Sequence, residues 1–330
     1  DRQQVAADEC VLQDHDTLVG RDLLSILDLT PTEITGLVSS AIKLKSSPPD
    51  RTLLAGVGVS ILFEKPSLRT RASFEFGLAG LGAHPAIFDL APTRIGERES
   101  VKDYAMNLER WCDAIVARVF DHSVLEEMAR YASVPVVNAL SDTEHPCQAL
   151  ADLLTIREAL GTLAGKSIAY IGDGNNVCHS LMLAAASVGM RITVITPDGH
   201  APSDRFVQAA KDRAAETNGT VRVAHEADAI RGHDVVYTDT WVSMGQSESN
   251  AKWFEPFRVD DTLMSVAGDG TNRGSDADPI FMHCLPATRG REVAASVIDG
   301  PNSVVYDQAE NRMHAQNALM LALLGRAGGN

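Results

Sequence analysis

Short apolar runs separated by helical stretches recur along almost the whole chain, and this rhythm restricts the fold more than any other feature. Val57, Val59, Ile61 and Phe63 alternate with smaller or polar residues as a strand does. The next segment, Ser67 to Leu81, carries Phe74, Leu78 and Leu81 at helical spacing. Ala86–Leu90, Ala114–Val119 and Pro135–Leu140 are further short runs with helical stretches between them. Strands joined through helices pair in parallel and have helices on their faces, so the expected class is α/β with a mostly parallel sheet.

The pattern then starts again. A helix is expected from about Pro146 to Leu160, followed by a Gly/Thr/Ala link at Gly161–Gly165. Beyond it, strands are expected at Ser167–Ile171, Arg191–Ile195, Val221–Val223, Val235–Thr238 and Ile280–His283, with Asp239–Asn250 as a polar loop. At 330 residues the chain is too long for one small core and suits two domains. We place them at residues 1–152, joined by a C-terminal helix within 315–330, and at 153–314. The run Ala315–Leu324 is apolar enough for that helix to pack back on the first domain. No fixed-period repeat is visible. Thr30 and Glu33 around Pro31 form a capping box ahead of Ile34, Leu37, Val38, Ala41 and Ile42 on one helical face. Residues 1–19 are polar and aperiodic and read as a mobile lead-in; the lack of an opening Met points to a trimmed or engineered start.

Bulk charge bears on partners. A formal net charge of −15 opposes non-specific attraction to nucleic acid or an anionic membrane, so any bound anion needs a local basic pocket. Cys10, Cys112, Cys147, Cys178 and Cys284 are odd in number and scattered, as reduced thiols are, which points to the cytoplasm. No apolar run approaches the ~20 residues that span a bilayer, and the first residues lack the basic-then-apolar order of a secretory signal.

Four clusters carry chemistry. FEKPSLRTR (Phe63–Arg71) sets Ser67, Arg69, Thr70 and Arg71 between a strand and a helix, where helix N–H groups and a bidentate guanidinium suit a phosphate. A solvated basic turn is the alternative. HPCQ (His145–Gln148) offers His145 and Gln148 as neutral donors for a carbonyl oxygen that gains charge. It also fits a helix cap or, less well, a zinc site, since no companion pair sits at metal-ligand spacing. DTWVSMG (Asp239–Gly245) and HCLP (His283–Pro286) follow strands, where ligands of open parallel sheets bind. Asp239 can pair with an ammonium, and Cys284 reads either as a nucleophile or as a small buried hydrophobe. Gly172-Asp173-Gly174 hints at a dinucleotide fold and an NAD-dependent dehydrogenase, but Val177 stands where the third glycine is required, and Asn175-Asn176 suits polar contacts better.

Together, FEKPSLRTR, HPCQALADLLT, GDGNNV, DTWVSMG and HCLPA resemble the ornithine carbamoyltransferase family in order and spacing, from about Gly20 to the C-terminus. The resemblance implies transfer of the carbamoyl group of carbamoyl phosphate to L-ornithine, giving citrulline, without metal or cofactor. It implies a homotrimer, with carbamoyl phosphate in the first domain and the amino acid in the second. Ser67, Arg69, Thr70 and the Leu68 N–H would hold the phosphate; Arg118, His145 and Gln148 the carbamoyl end; Arg312 would complete the anion pocket. Asn176, Asp239, Ser243 and Met244 would bind the α-amino and α-carboxylate groups of ornithine. Cys284 and Leu285 would turn carbonyls toward the carbamoyl nitrogen, with the Cys284 side chain beside the reacting amine. Arg69, Arg118, His145, Cys284 and Arg312 would thus be the catalytic set.

Three positions depart or stand apart. Leu68 stands where many members carry Thr, Thr288 where many carry His, and Arg94 aligns with a residue that reaches a neighbouring subunit's phosphate site. Aspartate, acetylornithine, succinylornithine and putrescine enzymes share the phosphate motif; the Ser243-Met244-Gly245 loop and the Asp239 carboxylate favour ornithine. A non-catalytic carbamoyl phosphate-binding relative is the alternative from another class.

Overall fold

The computed structural model describes residues 18–47, 50–241, 251–269 and 278–326. Most of the lead-in, Cys10, and the Ser243 and Met244 assignments lie outside the described residues.

Helix α1 (Pro31–Ser46) begins as its sequence dictates. Thr30 Oγ1 accepts from the Glu33 N–H at 3.2 Å, and Glu33 returns a carboxylate oxygen to the Thr30 N–H at 2.8 Å. Such a cap is worth about 1 kcal/mol. Ile34, Leu37, Val38 and Ala41 are buried beneath it.

The first sheet is built from β1 (Gly58–Phe63), α2 (Leu68–Gly80), β2 (His84–Asp89), α3 (Val101–Leu108), β3 (Ala114–Arg118), α4 (His122–Tyr131) and β4 (Val136–Leu140), leading into α5 (Pro146–Leu160). Its strand order is β2-β1-β3-β4, parallel throughout. The second contains β5 (Ser167–Ile171), α6 (Asn176–Ser187), β6 (Arg191–Ile195), α7 (Asp204–Thr217), β7 (Thr220–Ala224), β8 (Val235–Thr238), α8 (Asp261–Gly268) and β9 (Ile280–His283). Its order is β7-β6-β5-β8-β9, again parallel. Central strands such as β3 and β5 are buried along their whole length because helices cover both faces, whereas the edge strands β2 and β7 keep partly exposed positions.

The α/β class read from the sequence is thus the fold observed. The chain forms two compact units, Asp1–Leu154 with Glu310–Asn330, and Thr155–Ala309. Leu62, Ile115, Ala117 and Val136 pack with Leu108, Leu125 and Met128 in the first core. Ala169, Ile171, Val236 and Phe281 pack with Val259, Val293 and Ile298 in the second.

Both sheets contain a switch point, a place where successive crossovers leave in opposite directions and their loops part. From β1 the chain passes to β2 on one side and then to β3 on the other, so the switch lies between Phe63 and Arg118, which are register partners. In the second sheet it lies between β5 and β8, where Ile171 pairs with Thr238.

Two expectations need correction. Helix α9 runs from Val305 to Leu323 and so begins ten residues before the expected Ala315. Its early turns bury Gln308, Asn311 and Arg312, and buried polar residues interrupt the apolar stripe by which a helix is recognised. Leu18 departs from the mobile lead-in expected over residues 1–19, being 1% exposed, and the Gly20 N–H beside it donates to the Leu323 carbonyl at 2.8 Å. As expected, the last helix returns to the first unit. A Cβ at Gly77 of α2 would collide with Asn317 and Met313 of α9, and Lys45 of α1 donates to Asn311 at 2.8 Å. Among the described residues no helix is long and apolar enough to cross a membrane.

Candidate active site

In the first unit, residues distant in sequence meet on Thr70, in the first turn of α2. Ser67 caps that helix, accepting from the Thr70 N–H at 3.3 Å. The fully buried Thr70 hydroxyl oxygen accepts from Arg118, at the end of β3, at 3.3 Å, and from Arg312, on α9, at 2.8 Å. Ser67 also donates to it at 3.1 Å. Both guanidinium groups are buried, at 8% and 3% exposure. Positive charge is therefore concentrated at a helix N-terminus whose first turn carries no acid. Arg69 is half-buried in the same turn, and Leu68, 79% exposed, occupies the first helical position. Arg71 lies elsewhere: it pairs with Asp89 at 2.7 Å and Glu75 at 3.6 Å on the surface.

His145 and Gln148 lie at the start of α5. Gln148 accepts a short hydrogen bond from Arg312 and donates one amide proton to Asp152 at 2.8 Å. Burial, and then the charges of Arg312 and Arg118, hold the His145 imidazole well below the usual histidine range. It is consequently a neutral donor at physiological pH, the form suited to a carbonyl oxygen. Burial pushes the Cys147 thiol up to about 12, and its sulfur donates to the Asn138 carbonyl at 3.5 Å.

Residues beyond the assigned set contribute to this region. The buried Glu64 carboxylate accepts from the N–H groups of Ile95 at 2.7 Å and Phe120 at 2.8 Å, tying the Arg94 loop to the segment after Arg118. Arg94 itself is exposed, its guanidinium 4.1 Å from the Phe120 ring centroid, with the Lys65 ammonium 4.2 Å from the same ring. Burial, followed by the Arg118 charge, lowers the Lys65 ammonium from its ordinary range. Lys65 stood within the phosphate motif, so its position in FEKPS was the available signal.

The second unit gathers an acid. Asp239 follows β8 and is 7% exposed. One carboxylate oxygen accepts from the Thr240 N–H at 2.7 Å and the Cys284 thiol at 3.1 Å; the other accepts from the Asn175 amide at 2.9 Å. A thiol donating to a carboxylate keeps its proton, and nothing in this contact stabilises a thiolate, so the arrangement speaks against Cys284 as a covalent nucleophile. Asn176 is half-buried as the first residue of α6. Leu285 adopts the left-handed conformation (φ 59°), and its N–H donates to His283 Nδ1 at 2.9 Å. The opposite His283 nitrogen therefore carries the ring proton and faces Glu292 at 3.4 Å. Donor atoms of Asp239, His283 and Cys284 lie within 4.8 Å of one another, with the thiol donating to Asp239 and the imidazole accepting from the Leu285 N–H.

Gly174 explains itself without a nucleotide. A Cβ there would strike the backbone of Ala201 and Pro202, so the glycine serves the close approach of two loops.

Comparison with known proteins fits this geometry. Residues 21–158 match the family model described as the aspartate/ornithine carbamoyltransferase carbamoyl-P binding domain, and residues 164–323 match its Asp/Orn binding domain. The chain belongs to the aspartate/ornithine carbamoyltransferase family. It is 46% identical over 317 residues to an ornithine carbamoyltransferase of Pyrococcus abyssi, covering 94% of this chain and 97% of that one. It is 48% identical over 315 residues to the Parafrankia sp. ornithine carbamoyltransferase, covering 93% and 97%. The solved ornithine carbamoyltransferase from Pyrococcus furiosus superposes with a TM-score of 0.87 at 45% identity, covering 93% of this chain and 98% of that one. Within the carbamoyltransferase family fold, the residues around Thr70 fall in the first matched domain and those around Asp239 in the second.

Proposed function

We infer that this chain is an ornithine carbamoyltransferase of arginine metabolism, converting carbamoyl phosphate and L-ornithine to L-citrulline and phosphate. The observation that carries the reading is the meeting of two buried guanidinium groups, Arg118 and Arg312, on Thr70 at the mouth of α2. A phosphorylated substrate with a good leaving group needs positioning and charge stabilisation more than covalent catalysis.

In this reading residues 1–152 and the C-terminal helix hold carbamoyl phosphate, and 153–314 hold ornithine. Ser67, Arg69, Thr70 and the Leu68 N–H take the phosphate; Arg118, His145 and Gln148 take the carbamoyl oxygen; Arg312 spans the anion pocket. Asn176, Asp239, Ser243 and Met244 take the α-amino and α-carboxylate groups. The free δ-amine places its lone pair on the carbamoyl carbon, a C–N bond forms, and charge moves onto the carbamoyl oxygen. The C–O bond to phosphate then breaks, and phosphate leaves with that electron pair and takes up the proton that the nitrogen gives up. His145, neutral for the reason given above, donates to the oxygen as charge grows. The Cys284 and Leu285 carbonyls orient the carbamoyl nitrogen. Arg94 reaches a neighbouring copy's phosphate site in a homotrimer, and the enzyme works in the cytoplasm.

Colorimetric citrulline and ureido-product assays with ornithine, N-acetylornithine, aspartate and putrescine in parallel test the reading. Product with ornithine alone is expected. Preference for any other amine reassigns the substrate, and no product from any of the four favours a non-catalytic relative.

A further inference from the structure

We propose that Asn175 is a positioning residue for the amino-acid substrate, fixing the direction of the Asp239 carboxylate while capping helix α6. The proposal rests on the reading of Asp239 as the partner of the substrate ammonium.

Asn175 divides its amide between two tasks. Its oxygen accepts from the N–H groups of Val177 at 3.0 Å and Cys178 at 3.1 Å, the first turn of α6. Those donors fix which end of the amide is oxygen, so the NH2 group must face Asp239, 2.9 Å away. With the Thr240 N–H and the Cys284 thiol on its other oxygen, the carboxylate is gripped from both sides. An ammonium can then approach only along the lone pairs left over, whose direction Asn175 helps to set.

One substitution separates the two tasks. Asp and Asn rank alike as N-caps, so Asn175→Asp retains an acceptor for the α6 N–H groups. It removes the amide donor and sets a second carboxylate against Asp239. Two carboxylates at hydrogen-bond distance hold one proton between them over an intermediate pH range. While that proton is present, the new carboxyl hydroxyl replaces the amide as donor. Once it is lost with rising pH, the two groups repel and the ammonium site is disordered. Titratable groups facing the pair are Tyr170 on β5, Cys178 on α6, His283 and Cys284 at the end of β9, and Asp173, which pairs with His200 at 3.2 Å. Burial holds Asp173 above the ordinary carboxylate range, and its charge has the same sign as the one introduced.

The test is steady-state citrulline formation by the full chain at saturating carbamoyl phosphate, with ornithine varied from about pH 6 to about pH 9, for wild type, Asn175→Asp and Asn175→Ser. Wild-type kcat/KM should rise toward alkaline pH as the free amine accumulates. Asn175→Asp should turn downward over the same range, with ornithine KM more than about tenfold above wild type at the alkaline end. Asn175→Ser, which keeps a capping oxygen but loses the separate amide NH2 group that faces Asp239, should raise ornithine KM at every pH without turning the profile. Melting temperatures of both variants, measured at about pH 6 where the new pair of carboxylates shares a proton, should stay near that of wild type. An Asn175→Asp profile parallel to wild type, with ornithine KM within about twofold, overturns the proposal. So does a loss of activity that merely follows a lowered melting temperature in both variants. A wild-type chain that forms no citrulline overturns the functional reading itself, an outcome distinct from a working enzyme with parallel profiles.

Discussion

Beyond β1 and β3 in the first unit, Arg118 and Arg312 meet on the hydroxyl of Thr70; beyond β5 and β8 in the second, Asn175, Thr240 and Cys284 meet on the carboxylate of Asp239. The place is set in the same way in both units, by a parallel sheet whose crossovers diverge at a switch point. The electrostatic sign differs. In one unit burial, and then two guanidinium charges, hold an imidazole neutral, and in the other an acid is held by neutral donors. Architecture thus supplies position, and a few side chains at strand ends decide which charge is received.

The contrast breaks most severely if the cations are not needed. Arg118→Ala and Arg312→Ala should each lower citrulline turnover by about a hundredfold or more, read by the same assay with folding checked by circular dichroism. On the acidic side, Asp239→Asn should act mainly through ornithine, raising its KM by about tenfold or more while the KM for carbamoyl phosphate changes little. A smaller effect tests loop packing: Gly174→Ala forces the Ala201–Pro202 backbone aside and should destabilise the protein by about 1–3 kcal/mol in urea unfolding.

The smallest expected effect comes from a single proton. The folded protein holds His145 below its unfolded value of about 6.5, so the unfolded chain takes up the proton first as pH falls. The stabilisation is complete above about pH 6.5 and declines as pH drops from there toward the folded value. His145→Asn should flatten that decline, measured as the difference between denaturation midpoints near pH 7.5 and near pH 5.5 for the two proteins.

The strands were legible because buried parallel strands read as apolar runs, and Ser167–Ile171, Arg191–Ile195 and Val235–Thr238 form where expected. Loops after those strands marked the clusters, since a parallel sheet leaves its ligand loops at the carboxyl ends. Other features depended on contacts that no local pattern records. Arg69 and Arg71 are chemically alike in the motif, yet residues two apart on a helix point to different sides, and Arg71 is drawn to Asp89 and Glu75. The start of α9 was hidden by the polar residues it buries, and Asn175 passed as one of a polar pair until Asp239, 64 residues later, was seen to accept from it.

Calorimetric titration of carbamoyl phosphate into Arg118→Ala and Asp239→Asn, beside wild type, tests the division of charge most directly. The account predicts binding lost in the arginine variant and retained at near wild-type affinity in the aspartate variant. Retained binding without Arg118, or binding lost with Asp239, would contradict it.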